Sequence, residues 1–241
     1  MTKPKHEQDL ARWAAKGQPG SEPVNAATVI LLRDSSEGLE TLMLRRNSKI
    51  AFGGMWVFPG GRVDPGDVDP QNPADEQAAA RRAAIREASE EAGLRIGEEA
   101  LIPFSHWTPP AITPRRFLTW FFIAPAPTTE ISIDGGEIHE HAWMTPQEAF
   151  RRREAGEIEV APPTWVTLWE LGHCASVADA LAFTKSRTPE RFQTRIVVEP
   201  EGPSALWHGD SGWESGEADA PGGRHRLCMH QSGWRYERTQ R

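Results

Sequence analysis

The chain has 241 residues, 38% of them hydrophobic and 21 of them glycine. This is an ordinary globular composition with enough length to bury a core, and it excludes collagen-like, coiled-coil and wholly disordered chains. Its 27 basic against 34 acidic residues leave a net charge of −7, which disfavours broad nucleic-acid binding and suits a site that holds cations.

No apolar run approaches bilayer-spanning length, so no membrane partner is expected. Residues 1–30 carry no apolar core followed by a small-residue cleavage site. Two cysteines, Cys174 and Cys228, cannot make a disulfide framework, and the expected compartment is reducing and cytoplasmic.

Residues 1–24 are polar and rich in Lys, Glu, Gly and Pro. They read as a mobile tail with one short helix at Gln8–Ala15, ahead of a single domain over 25–241. Ala26–Arg33 reads as a buried strand, Asp34–Gly38 as a turn and Leu39–Arg45 as the returning strand of a hairpin. Trp56–Phe58 is a short strand that ends in Pro59-Gly60-Gly61, and Val63–Ala74 is loop material. Asp75 then caps a helix over Glu76–Ala92, which Gly93 stops.

Strands are expected at Leu101–Trp107, Phe117–Ala124 and Glu137–Met144. Thr145 caps a helix at Pro146–Ala155, and further helices are expected at Thr164–Gly172 and Val177–Lys185. Strand-like runs return at Thr194–Glu199, Ala205–Trp207 and Arg226–His230, around a flexible loop at Gly209–Gly223. Strands in hairpins with a few helices between them make the class α/β (α+β) rather than a doubly wound sheet.

One helix carries the chemistry. In Arg86-Glu87-Ala88-Ser89-Glu90-Glu91-Ala92-Gly93-Leu94, about 100° per residue places Glu90 about 60° and Glu91 about 40° to either side of Glu87. Three carboxylates so placed repel one another on a bare helix, and a divalent cation reverses that sign. Ala84, Ala88 and Ala92 offer a small-residue stripe that can press close to a sheet. Glu-x-x-Glu-Glu is also common on solvated acidic helices. The Gly60-Gly61 pair upstream, with a carbonyl free to face an ion, adds weight to a cation and phosphate site.

Arg86–Leu94, with Trp56–Gly61 before it, resembles the signature of the Nudix hydrolases, G-x5-E-x7-R-E-U-x-E-E-x-G-U with U apolar. Its second half matches residue for residue. Its first half departs: Ala78 and Asn72 stand where the spacing calls for Glu and Gly. Val63–Ala74 then looks like an insertion inside the box, and Glu76 is the nearest replacement for the missing Glu.

A lengthened box is a feature of the branch that includes a peroxisomal coenzyme A diphosphatase. The chain is similar to that branch at Leu44-Arg45-Arg46, Phe52, Arg62-Val63-Asp64 with Asp67, Thr113–Phe117, Gly136-Glu137-Ile138, Trp143 and Pro162-Pro163-Thr164.

The resemblance implies an α/β/α sandwich with a mixed sheet. The core would lie at about 25–160, with an accessory helical and strand extension at about 161–241. It implies a diphosphatase that uses Mg²⁺ or Mn²⁺ and acts on a small-molecule nucleotide. Glu87, Glu90, Glu91 and the Gly60 or Gly61 carbonyl would be metal ligands, and Arg86 would orient Glu87. The general base would be a box glutamate or one in a later strand, with Glu137 and Glu140 as candidates.

Arg46, Arg115 and Arg116 read either as phosphate clamps or as strand-end surface charge. Phe52 reads as a stacking or supporting ring, and Phe117 as core. Coenzyme A or its acyl esters are the favoured substrate, with NADH or ADP-ribose next. Many members dimerise, so a homodimer is among the expected assemblies. Thr239-Gln240-Arg241 is not a peroxisomal Ser-Lys-Leu signal, which keeps the expected location cytoplasmic. A nucleotide sensor without catalysis is the alternative, and the intact glutamate trio argues against it.

Overall fold

The computed structural model describes residues 5–47, 53–133 and 135–239. The chain divides into two compact units, one of Val24–His106 with Leu118–Glu190 and one of Met1–Pro23, Trp107–Phe117 and Arg191–Arg241. The first unit is a mixed α+β fold around a sheet. Its apolar strand runs fold as the sequence predicts. β1 (Val24–Ser35) and β2 (Gly38–Arg46) form an antiparallel hairpin. β3 (Trp56–Val57) pairs β2, and β4 (Gly60–Arg62) pairs β1 with Thr28 opposite Gly60 and Ala27 opposite Gly61. In the sheet β3-β2-β1 is followed by β6 (Phe117–Pro125) and β5 (Ile102–Thr108).

β4 is a strand where the sequence reads Pro59-Gly60-Gly61 only as the end of β3. Its glycines let it lie close on β1, because a Cβ on Gly60 would collide with the Ala27 carbonyl and with Thr28. β7 (Ile138–Met144) pairs the other edge of β2. The register slips there: Arg45 faces Glu140, whereas Arg46 faces Ile138. This leaves His139 as the extra residue of a bulge, a device that re-aims neighbouring side chains.

α2 (Glu76–Ala92) has the predicted bounds and caps. The Asp75 side chain accepts from the Ala78 N–H at 3.0 Å, and Gly93 closes the helix in the left-handed conformation at φ 69°. Ala80, Ala83, Ala84, Ala88 and Ala92 are buried in one core with Val29, Leu31, Leu42, Leu44 and Phe122. The helix packs against β1 and β4, and burial of this apolar surface stabilises that contact. α3 (Pro146–Glu154), α4 (Pro162–Leu171) and α5 (Val177–Lys185) follow. α4 starts two residues earlier than expected because Pro162 fits the first turn of a helix.

The second unit is a four-stranded antiparallel sheet in the order β12-β11-β10-β9. Its strands are Gly233–Arg238, His225–His230, Gly202–Leu206 and Arg195–Glu199. The segment expected as a tail contains α1 (Lys5–Lys16), which packs on β9 and β10 and buries Leu10. β8 (Glu190–Gln193) brings Phe192 flat onto Trp107, with ring centroids 3.8 Å apart, and Trp207 meets both rings edge-on. The Gly209–Gly223 loop holds a one-turn helix, α6 (Gly212–Ser215), and a buried Asp210–Arg226 ion pair. No helix among the described residues is long and apolar enough to cross a membrane.

Candidate metal and diphosphate site

The three helix glutamates occupy different environments on one arc of α2. Glu91 is 4% exposed. Its Oε2 accepts from the Gly60 N–H at 2.9 Å, its Oε1 has no hydrogen-bond partner, and the Arg46 guanidinium stands 3.8 Å from that oxygen. Burial pushes the Glu91 carboxyl up to about 7. The Gly60 N–H and Arg46 oppose the rise, and Glu87 and Glu137 add to it. Glu87 is half-buried and lies flat against Gly61, where a Cβ would overlap its carboxylate. Burial raises its pKa above the ordinary carboxyl value, and Arg86 works against the rise. Glu90 is exposed.

Arg86 is held on two sides. Its Nη1 donates to Glu87 Oε1 at 2.9 Å and to Glu90 Oε2 at 3.0 Å. Its Nη2 donates to Asp67 Oδ2 at 2.9 Å and to the Arg62 carbonyl at 2.9 Å, and its Nε donates to Asp67 Oδ1 at 3.3 Å. Asp67 is 5% exposed. The Asp67 bond is the largest of the influences that raise the guanidinium's pKa. Glu76, expected as the replacement for the missing box glutamate, is exposed on the first turn of α2. It lies about 15 Å along the helix axis from Arg86. The carboxylates that meet Arg86 from the box insertion are Asp67 at 2.9 Å and, farther off, Asp64 at 3.8 Å.

The β7 bulge turns Arg46 into the site. Arg46 Nη2 donates to Glu137 Oε2 at 2.8 Å and Nη1 to the Gly60 carbonyl at 3.5 Å, with 16% of the side chain exposed. The Asn47 N–H bonds the Glu137 carbonyl at 2.7 Å, which ties the end of β2 to the start of β7. Glu140 pairs instead with Arg45 at 3.2 Å, both about half exposed.

The structure therefore brings together Arg46, Gly60, Gly61, Arg86, Glu87, Glu90, Glu91 and Glu137. Arg115 and Arg116 belong to the second compact unit. Phe52 lies outside the described residues. Phe117 opens β6, half-buried. Asp67, which the sequence names as a branch match without a role, is the residue of the insertion that meets Arg86 most closely. Its signal was the Asp64-Pro65-Gly66-Asp67 turn, where two carboxylates flank a tight bend.

Among the described residues no three His, Cys, Asp or Glu side chains stand ready as an ion cage, because Arg86 sits between Glu87 and Glu90. The donor chemistry nevertheless fits a hard divalent cation. The oxygens are carboxylate and carbonyl, the buried Glu91 Oε1 accepts no hydrogen bond, and Gly61, without a Cβ, lets the Glu87 carboxylate lie against the strand.

A model of the NUDIX domain matches residues 22–165 of the chain. The Caenorhabditis elegans protein named "Putative nudix hydrolase 7" is 28% identical over 193 residues, which are 64% of this chain and 61% of that protein. A crystal structure of a NUDIX hydrolase from Alicyclobacillus acidocaldarius superposes with a TM-score of 0.59 at 24% identity, over 67% of this chain and 96% of that one. That likeness establishes the fold.

Proposed function

We infer that this chain, which belongs to the NUDIX domain family, is a metal-dependent hydrolase that cleaves the diphosphate of a nucleoside diphosphate linked to another moiety. The observation that carries the reading is the buried Glu91 carboxylate on one arc with Glu87 and Glu90, its Oε2 bonded to the Gly60 N–H and its Oε1 without a hydrogen bond. Glu87, Glu90, Glu91 and the Gly61 carbonyl are the groups that would hold Mg²⁺ or Mn²⁺. When bound, such an ion neutralises diphosphate charge and makes a bound water more acidic.

The chain's own residues account for the rest. The Gly60 N–H orients Glu91, and Arg86 orients Glu87 and Glu90. Arg46 is a guanidinium at the mouth of the arc, now engaged by Glu137. Guanidinium grips phosphate oxygens in a two-point fashion. When Arg46 turns to a diphosphate, Glu137 Oε2 is released to accept a proton from the attacking water, which makes Glu137 the favoured base over Glu140.

Coenzyme A or an acyl-coenzyme A is the favoured substrate, with NADH or ADP-ribose next. The lengthened box and the ordered matches around it support this choice. We place the protein in the cytoplasm, acting on a small-molecule nucleotide rather than a nucleic acid. The test is a panel of coenzyme A species, NADH and ADP-ribose with Mg²⁺ or Mn²⁺, followed by mass analysis of products formed in heavy-oxygen water. Diphosphate cleavage with one heavy oxygen per turnover is expected. Saturable nucleotide binding without turnover on the whole panel would favour a sensor instead.

A further inference from the structure

The box insertion does more than lengthen a loop. We propose that Asp67 is a positioning residue that aims Arg86 at Glu87 and Glu90, supplying from the insertion the acid that α2 lacks at Ala78. The proposal rests on reading Glu87, Glu90 and Glu91 as metal ligands.

Asp67 closes a single helical turn, Pro65–Asp67, and is buried on it. Both its oxygens are engaged. Oδ1 accepts from Arg86 Nε at 3.3 Å, while Oδ2 accepts from Arg86 Nη2 at 2.9 Å and from the Asp64 N–H at 2.9 Å. Its carbonyl accepts from Arg82 Nε at 2.6 Å, one helical turn before Arg86. The insertion is thus riveted to α2 at two successive arginines.

A carboxylate that meets a guanidinium along its Nε–Nη2 edge fixes the plane of the fork. Here that orientation leaves Nη1 for Glu87 and Glu90. The Asp67 charge also offsets the Arg86 charge beside a site meant for a cation. Without Asp67, Arg86 would keep only the Arg62 carbonyl and the more distant Asp64 on that side, and would close further over the two glutamates as a competing cation.

The test is Mn²⁺ titration of the full chain by electron paramagnetic resonance, for the wild type, Asp67→Asn, Arg86→Gln and the double variant. Asp67→Asn keeps an oxygen for the Asp64 N–H, and melting curves in chelator check that each variant folds. Asp67→Asn is expected to weaken Mn²⁺ binding about tenfold, the usual scale for groups that orient metal ligands. The double variant is expected to bind like Arg86→Gln alone.

Unchanged affinity in folded Asp67→Asn would overturn the proposal. So would an equal loss from Asp67→Asn in both backgrounds, since Asp67 would then act without Arg86. Should Asp67→Asn not fold, Asp67→Glu carries the comparison: it keeps the charge and is expected to retain most of the affinity, and loss as complete as in Asp67→Ala would refute the role. A wild-type chain that binds no Mn²⁺ overturns the ligand assignment itself, an outcome distinct from the failure of Asp67 alone.

Discussion

The Gly60 N–H donates to Glu91 Oε2 at 2.9 Å, a bond between the edge of the sheet and the last turn of α2. It fixes one oxygen of a buried carboxylate and leaves the other facing Arg46 at 3.8 Å. The charge state of Glu91 is therefore coupled to folding. Its carboxyl sits at about 7, above the ordinary 4.5. Between those values the folded chain holds a proton that the unfolded chain releases. In the ion-free protein its contribution is fully present below about pH 4.5, declines as pH rises and is lost above about 7. At about 1.4 kcal/mol per pKa unit, the loss amounts to about 3–4 kcal/mol. Glu91→Gln should remove that decline, so the difference between wild-type and variant melting curves in chelator should grow from pH 5 to 8. A flat difference would remove the assignment.

The two neighbouring glycines should fail in different ways. A Cβ on Gly61 meets the end of a flexible side chain, Glu87, whereas a Cβ on Gly60 meets backbone of β1. Gly61→Ala is expected to fold with a near-normal melting temperature and to lose about a hundredfold in turnover, through a displaced carboxylate. Gly60→Ala is expected to lose about 1–3 kcal/mol of stability from overpacking. Thermal melts and steady-state kinetics on both variants separate the two outcomes.

Glu90 is exposed and pairs with Arg86 across one turn at 3.0 Å. Such a pair contributes about 0.5 kcal/mol or less, so Glu90→Gln should leave the melting temperature almost unchanged. Turnover with Mg²⁺ should nonetheless fall on the order of a hundredfold, from a lost donor to a charge-stabilising site. Near-normal rates at saturating Mg²⁺ would strike Glu90 from the ligand set.

Glu137 and Glu140 lie on opposite sides of the β7 bulge and bond Arg46 and Arg45 respectively. Glu137→Gln should lower kcat on the order of a hundredfold with little change in KM. Glu140→Gln should leave both nearly as they were. The reverse pattern would move the base to Glu140.

Much of this site could be read from residue order alone, because α2 is a local object. Its cap, its stop and the arc of its glutamates follow from helical geometry, and the structure keeps all three. The partners were harder to see. Gly60–Arg62 looks like the end of β3 until β1 is present to pair with it. The aim of Arg46 depends on one extra residue in a strand far along the chain. Asp67 looks like loop polarity until Arg82 and Arg86 cover it. The edge strands Glu190–Gln193 and Gly233–Arg238 are polar enough to hide their pairing. In each case the missing information is a long-range contact, not a propensity.

The alanine stripe of α2 works as a shim one methyl thick. It sets how high the acidic arc rides above the strands, so Ala84→Val or Ala88→Val would tilt the glutamates without touching a charge. The acidic arc can therefore be adjusted from beneath, by bulk alone.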